Sequence, residues 1–399
     1  MAHSGGNDPH DSPAKIVYVG MAGAIISLFM GLLVGIPALA FNSGFPTIQS
    51  LANGIIFHPD MMVFGVLGGL LITEKLELME KFRIMGRYRI SRITILSLFS
   101  GVYIASAGII LEQGMMRDMG LILILIASLL FLHYMTSRRN PGMKEIKYMS
   151  GASIFVISLS SIANMNHIIT YNTQFAFLVL LFPVIYVLAE RVELGFVRGM
   201  SSGIIRSQTV IGWTAVILAF LSVETEGFPF SMPLLASSIT LLLIMAITSI
   251  IFDPNFRKRM KKSHFQTFMK TGILISYFWL LSGIILFITQ IVYGHGYLDP
   301  AAHSIALGFI GTFIISHSPI IFPLTLKKKA IQENVTLLPI FVITLANVMR
   351  VFGDLTVPFY EFSAAISYYS GYVILIAILA FLYNLKRIMG KPKKNVMTQ

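Results

Sequence analysis

Nine histidines are spread along a chain of 399 residues that contains no cysteine. Two of them, His303 and His317, lie in the apolar stretch AAHSIALGFIGTFIISHSPIIFP, which runs from Ala301 to Pro323. An imidazole in hydrocarbon-facing sequence is costly unless it turns inward and finds a partner, so each marks a candidate functional site. On an α-helix their spacing corresponds to about 21 Å of rise and leaves them roughly 40° apart around the axis, on nearly one face. A third histidine, His58, opens another apolar stretch, FHPDMMVFGVLGGLLITE. The absence of cysteine excludes disulfide frameworks, thiolate metal sites, iron–sulfur clusters and cysteine nucleophiles. Histidine, methionine and carboxylate remain as metal ligands, and His58, His303 and His317 are the metal candidates.

The elements that must position these side chains are membrane spans. Hydrophobic residues make up 55% of the chain and charged residues only 12%, and the mean hydropathy is +0.77, far from soluble composition. Apolar runs long enough to cross a bilayer fall at about 16–41, 58–75, 93–112, 119–136, 148–168, 173–190, 207–223, 230–252, 267–293, 302–325, 334–352 and 366–385. The reading is an all-α polytopic membrane protein of twelve helices forming one transmembrane domain over 1–399. A polar tail (1–15) precedes the bundle (16–385) and a basic tail (386–399) follows it. The first fifteen residues have no basic region ahead of a short apolar one, so no cleaved signal peptide is expected.

Charge sets the orientation. Of the 30 Lys and Arg residues, 28 fall in the tails, the even-numbered connections and the adjoining helix ends; the odd-numbered ones hold only Arg117 and Arg350. The positive-inside rule then places both termini in the cytoplasm of a multi-pass cell (plasma or inner) membrane protein. The net charge of +12 is explained by this partition. Basic runs such as Arg257 to Lys262 and Lys327 to Lys329 serve topology and anionic headgroups of the lipid bilayer, and no nucleic-acid partner is expected.

By this topology His58, His303, Arg350, Asn164, Asn166 and His167 come from four helices and share one depth near the outer surface. No P-loop, GxSxG, HExxH or zinc spacing is present. Two histidines on different helices can ligate a haem iron from opposite sides, with Met61, Met62 or Met165 as substitutes, and an arginine at headgroup level can pair with the propionates. Arg350 has two candidate partners, Asp354 or a bound carboxylate. Gly31 and Gly35 form a GxxxG pattern expected to serve helix packing. Glu74, among Lys75, Glu77 and Lys81, reads as a solvated charge.

FHPDMMVFGVLGG is similar to the helix-2 signature of the NnrS family, and AAHSIALGFIGT resembles that family's His-x-x-x-x-Gly-x-x-Gly-Thr helix. NPGMKEIKYMSGASIFVISLSSIANMNH, AERVELGF and ANVMRVFG fall where weaker family patterns occur. The resemblance implies a bundle like subunit I of haem-copper oxidases, a b-type haem, possible copper, an electron donor, and a role in nitric-oxide stress or denitrification. In those oxidases one histidine on helix 2 and one on helix 10 hold the low-spin haem, and His58 and His303 match these positions. Asp60 stands where the family has its second helix-2 histidine, and the copper-site histidines of helices 6 and 7 are missing, so oxygen reduction and proton pumping are not expected. The rival reading is a twelve-helix solute transporter.

The charge partition makes a direct prediction. Single cysteines introduced into this cysteine-free chain at the Arg257 and Lys327 connections should be labelled from the same, cytoplasmic side. Labelling of Ser318 to Lys329 only from outside would overturn the assignment of depth.

Overall fold

The computed structural model describes residues 13–42, 44–48, 57–81, 88–137, 144–166, 172–257, 263–325, 334–360 and 362–389. His167, residues 1–12 and 390–399 of the tails, and the basic stretches within 82–87, 258–262 and 327–329 lie outside the described residues. Twelve long helices follow one another. They are α1 (Pro13–Asn42), α2 (Asp60–Gly68 continuing as Gly69–Lys81), α3 (Tyr88–Ile110), α4 (Gly114–Thr136), α5 (Lys144–Asn166) and α6 (Thr173–Val197). The second half comprises α7 (Ser202–Glu224), α8 (Ser231–Phe252), α9 (His264–Tyr293), α10 (Leu298–Thr325), α11 (Leu338–Thr356) and α12 (Phe362–Ile388). Among the described residues there is no β-strand, and eleven helices are long and apolar enough to cross a membrane. The twelfth is α2, which is less apolar because it carries Asp60, Glu74, Lys75 and Glu77. The chain is thus a polytopic helical membrane protein.

Helix α6 is the core of the bundle. Every residue from Thr173 to Ala189 is buried, as expected of a helix apolar on all sides. It packs against α2, α5, α7, α8, α9 and α10. The sequence-based boundary at 190 fell short because the charges that follow look like a loop; the helix continues to Val197, carrying Glu190, Arg191 and Glu193 into the fold.

Helices α2 and α10 share an unusual feature. Each contains a π-helical stretch near its start, Asp60–Gly68 in α2 and Ser304–Gly311 in α10 after six α-helical residues, just after His58 and His303. A π-turn closes through i→i+5 bonds and advances less per residue than an α-turn. Beyond such a stretch, side chains are rotated by on the order of one residue, roughly 100°. His317 therefore leaves the face of His303 on which uniform α-helical spacing had placed it.

Small residues let backbones approach. In the α3–α4 hairpin, a Cβ on Gly120 would sit 2.3 Å from the Ala105 nitrogen, and one on Gly108 would sit 2.3 Å from the Arg117 nitrogen. Neither neighbour can yield, because both are backbone. Gly120→Val should lower stability by about 1–3 kcal/mol or more, read as a lower unfolding midpoint in detergent. Gly203→Ala, where nothing lies within 4 Å, should leave the midpoint in place. Equal midpoints for the two variants would contradict the packing.

Candidate functional site

Two polar clusters occupy opposite ends of α2 and α10. At the first, the His58 Nδ1 lies 2.8 Å from the Gly31 carbonyl of α1. A carbonyl only accepts, so Nδ1 carries the proton and Nε2 is the bare nitrogen of the neutral ring. The ring rests on Gly35, where a Cβ would come within 2.9 Å of Cε1. The GxxxG pattern of α1 is therefore a seat for the histidine as well as a packing device.

His303 is held in the same way. Its Nδ1 lies 3.0 Å from the Asp299 carbonyl, one turn earlier, and 3.2 Å from that residue's carboxylate. Asp299 also pairs with Arg350 of α11. The Arg350 Nε lies 3.0 Å from Asp354 Oδ2, and its Nη1 donates to Ser367 Oγ of α12 at 3.2 Å. Arg350 thus has both an acidic partner the sequence suggested, Asp354, and one it did not, Asp299. His58 is within electrostatic reach of His303, Asp299 and Arg350, so α1, α2, α10, α11 and α12 converge here. Among the described residues neither His58 Nε2 nor His303 Nε2 makes a hydrogen bond.

Asn164 does not join this cluster. It is buried near the end of α5, which packs mainly against α4, α6 and α7, and both polar atoms of its amide lack a partner among the described residues. Depth was a poor guide for it, because equal height says nothing about position around the bundle. Asn166, two residues on, is exposed at the last turn of α5.

The second cluster surrounds His317. Its Nε2 lies 3.1 Å from Arg191 Nη1, and its Nδ1 lies 3.0 Å from the Phe313 carbonyl. Arginine only donates, so Nε2 accepts, Nδ1 carries the proton, and both ring nitrogens are occupied. A metal ligand it is not in this arrangement. Arg191 in turn makes a two-pronged pair with Asp253 at the end of α8, with both bonds at 2.8 Å and side-chain exposures of 2% and 0%. Tyr277 donates to the same carboxylate at 3.1 Å. The Phe313 ring stacks on His317 with centroids 3.9 Å apart. Nearby, Lys75 pairs with Glu193 at 3.0 Å, and Glu74, Glu77, Glu190 and His317 line a cavity of about 50 Å³. The sequence reading missed Arg191, Asp253 and Glu190; the available signal was one arginine continuing an apolar run and one aspartate closing another.

The chemistry of the first cluster fits a porphyrin iron. Two imidazoles, each holding Nδ1–H on a carbonyl and keeping Nε2 bare, have the form that metal-ligating histidines take. Along α10 from His303, Ser304 Oγ, the Asn347 amide and Trp279 Nε1 are buried without partners among the described residues, and the last two pack on Gly308. Without cysteine the thioether attachment of a c-type haem is excluded, so the group would be held non-covalently.

A family model described as "Domain of unknown function (DUF8744)" matches residues 17–387. No curated protein matches the chain.

The Arg191–Asp253 pair yields its own test. Removing one partner strands a charge in the core, so Arg191→Met or Asp253→Asn alone should destabilise the fold by about 3–5 kcal/mol, whereas the double variant Arg191→Met/Asp253→Leu should recover much of that loss. Unfolding midpoints in detergent report the comparison. A double variant no more stable than the worse single one would contradict the pairing.

Proposed function

We propose that this chain, which belongs to the DUF8744 family of domains of unknown function, is a haem-binding membrane protein in which His58 and His303 are the axial ligands of one b-type haem. The observation that carries the reading is the matched pair: two histidines on separate helices, close enough to interact, each with Nδ1 fixed by a backbone carbonyl. Such a bond selects the tautomer and aims the opposite nitrogen. Bound there, the haem would supply one-electron chemistry.

The surrounding residues act as positioning groups. The Gly31 carbonyl and the bare Gly35 surface hold the His58 ring. Asp299 holds His303 and is itself held by Arg350, whose charge Asp354 also balances. In this reading Arg350 acts through Asp299 and does not serve as a free anion receptor. The charge partition of the sequence puts this end of the bundle at the outer membrane face. The link to nitric oxide rests on the NnrS-like motifs. Copper is given no site, since among the described residues no three His, Cys, Asp or Glu side chains converge.

Purified full-length protein should show a Soret band and a b-type pyridine haemochrome. His58→Ala and His303→Ala should each abolish the low-spin spectrum. Asp299→Asn should weaken haem retention, whereas His317→Ala and replacement of His133, in the last turn of α4, by alanine should preserve the spectrum. Correctly inserted protein that binds no haem, or a normal low-spin spectrum in His303→Ala, would overturn the proposal and leave solute transport as the better account.

A further inference from the structure

The cavity at the other end of α2 and α10 gathers more carboxylates than there are cations beside it, since Glu74, Glu190 and Glu193 share Lys75. Its walls come from α1, α2, α6 and α10 and include Glu74 and Glu190, which interact electrostatically across it. Among the described residues neither carboxylate forms a hydrogen bond or an ion pair, although each retains only partial exposure.

The neighbouring cations are already committed. Lys75 is bound to Glu193 at 3.0 Å, and Arg191 is clamped by Asp253. His317 is neutral in this arrangement, donating through Nδ1 to the Phe313 carbonyl and accepting from Arg191 at Nε2. Tyr186, which faces the same carboxylates from α6, donates its hydroxyl to the Leu71 carbonyl at 3.1 Å. Glu77, on the cavity wall, adds a further acid.

An independent observation points to an occupant. Thr73 lines the same cavity and is only 3% exposed, and its hydroxyl has no hydrogen-bond partner among the described residues. A buried hydroxyl left unpaired is costly, and a water in a polar site of this size resolves it. Two like charges facing each other with little water are costlier still, and the usual relief is that one of them takes a proton. A hydroxyl donating to a carboxylate then forms a strong, charge-assisted bond. A metal cation suits the walls less well. Among the described residues no three His, Asp or Glu side chains come close enough together to hold one.

We propose that Glu74 and Glu190 form a proton-binding site, in which one exchangeable proton is shared between the two carboxylates through water held by Thr73. A hydronium ion loses one O–H bond and becomes water as an O–H bond forms on one carboxylate; in the reverse step that bond breaks, water takes the proton, and the pair returns to two anions. The site takes protons from the end of the bundle that carries the basic connections. It stands independently of haem binding.

Infrared spectroscopy of the purified full-length protein tests this. At neutral pH the protein should show the C=O band of a protonated carboxylic acid that shifts in D2O and disappears as the pH is raised. Glu74→Gln and Glu190→Gln should each remove the band, and Glu193→Gln should keep it. Three outcomes would overturn the proposal: no such band in the folded native protein, a band unchanged in both cavity variants, or a band lost when sodium chloride replaces N-methylglucamine chloride at fixed pH. The last would identify a cation site. Circular dichroism checks folding of each variant, and if a glutamine variant fails to fold, the native protein's pH and sodium titrations decide by themselves.

Discussion

The close approach of α1 and α2 sets the geometry of both polar clusters. The two helices run antiparallel in a fixed register, and at each level one supplies a side chain where the other has little or none. A Cβ on Gly35 would meet His58, on Gly31 Met62, on Gly65 Ser27, and on Gly20 Thr73. In lipid there is no hydrophobic gain from bringing helices together, so contact depends on dispersion and on small residues that admit a neighbour. The same seam fixes His58 at one end and Thr73 at the other. A one-residue slip would lose the Gly31 carbonyl for His58 and move Thr73 off the cavity.

Charge is handled differently at the two ends. Around His303, each ionised group is tied to another in a chain running from Asp299 through Arg350 to Asp354, which keeps one imidazole oriented. Around His317, the strongest pair, Arg191 with Asp253, is sealed in the core, and the carboxylates of Glu74 and Glu190, which form no ion pair among the described residues, are left against a cavity. Burial of unpaired charge is expensive, so the second arrangement persists only if protons or another cation neutralise it. Helix α6 connects the two regimes: it is buried along its apolar length and turns charged where it meets the cavity.

The membrane fold was legible because twenty-residue apolar runs have few alternatives. His58 and His303 stood out in the sequence because imidazoles are rare in such runs. What sequence could not show was pitch and azimuth. The π-helical stretches of α2 and α10 leave no trace in an apolar pattern, and they turn His317 away from the face that α-helical spacing gave it. Asn164 had the right depth and the wrong side of the bundle. Glu74 looked solvated because charges surrounded it in sequence, whereas in the fold it faces Glu190 from another helix. Asp299 was readable as a helix start, yet its link between Arg350 and His303 is a tertiary fact.

The most direct test of the central claim is the magnetic spectrum of the ferric protein, read by electron paramagnetic resonance together with near-infrared magnetic circular dichroism. Two neutral imidazoles, each donating Nδ1–H to a carbonyl, predict a low-spin ferric signal with bis-histidine charge-transfer bands. A histidine–methionine signature, with Met62 or another thioether as one axial ligand, or a high-spin five-coordinate iron, would contradict the assignment of His58 and His303.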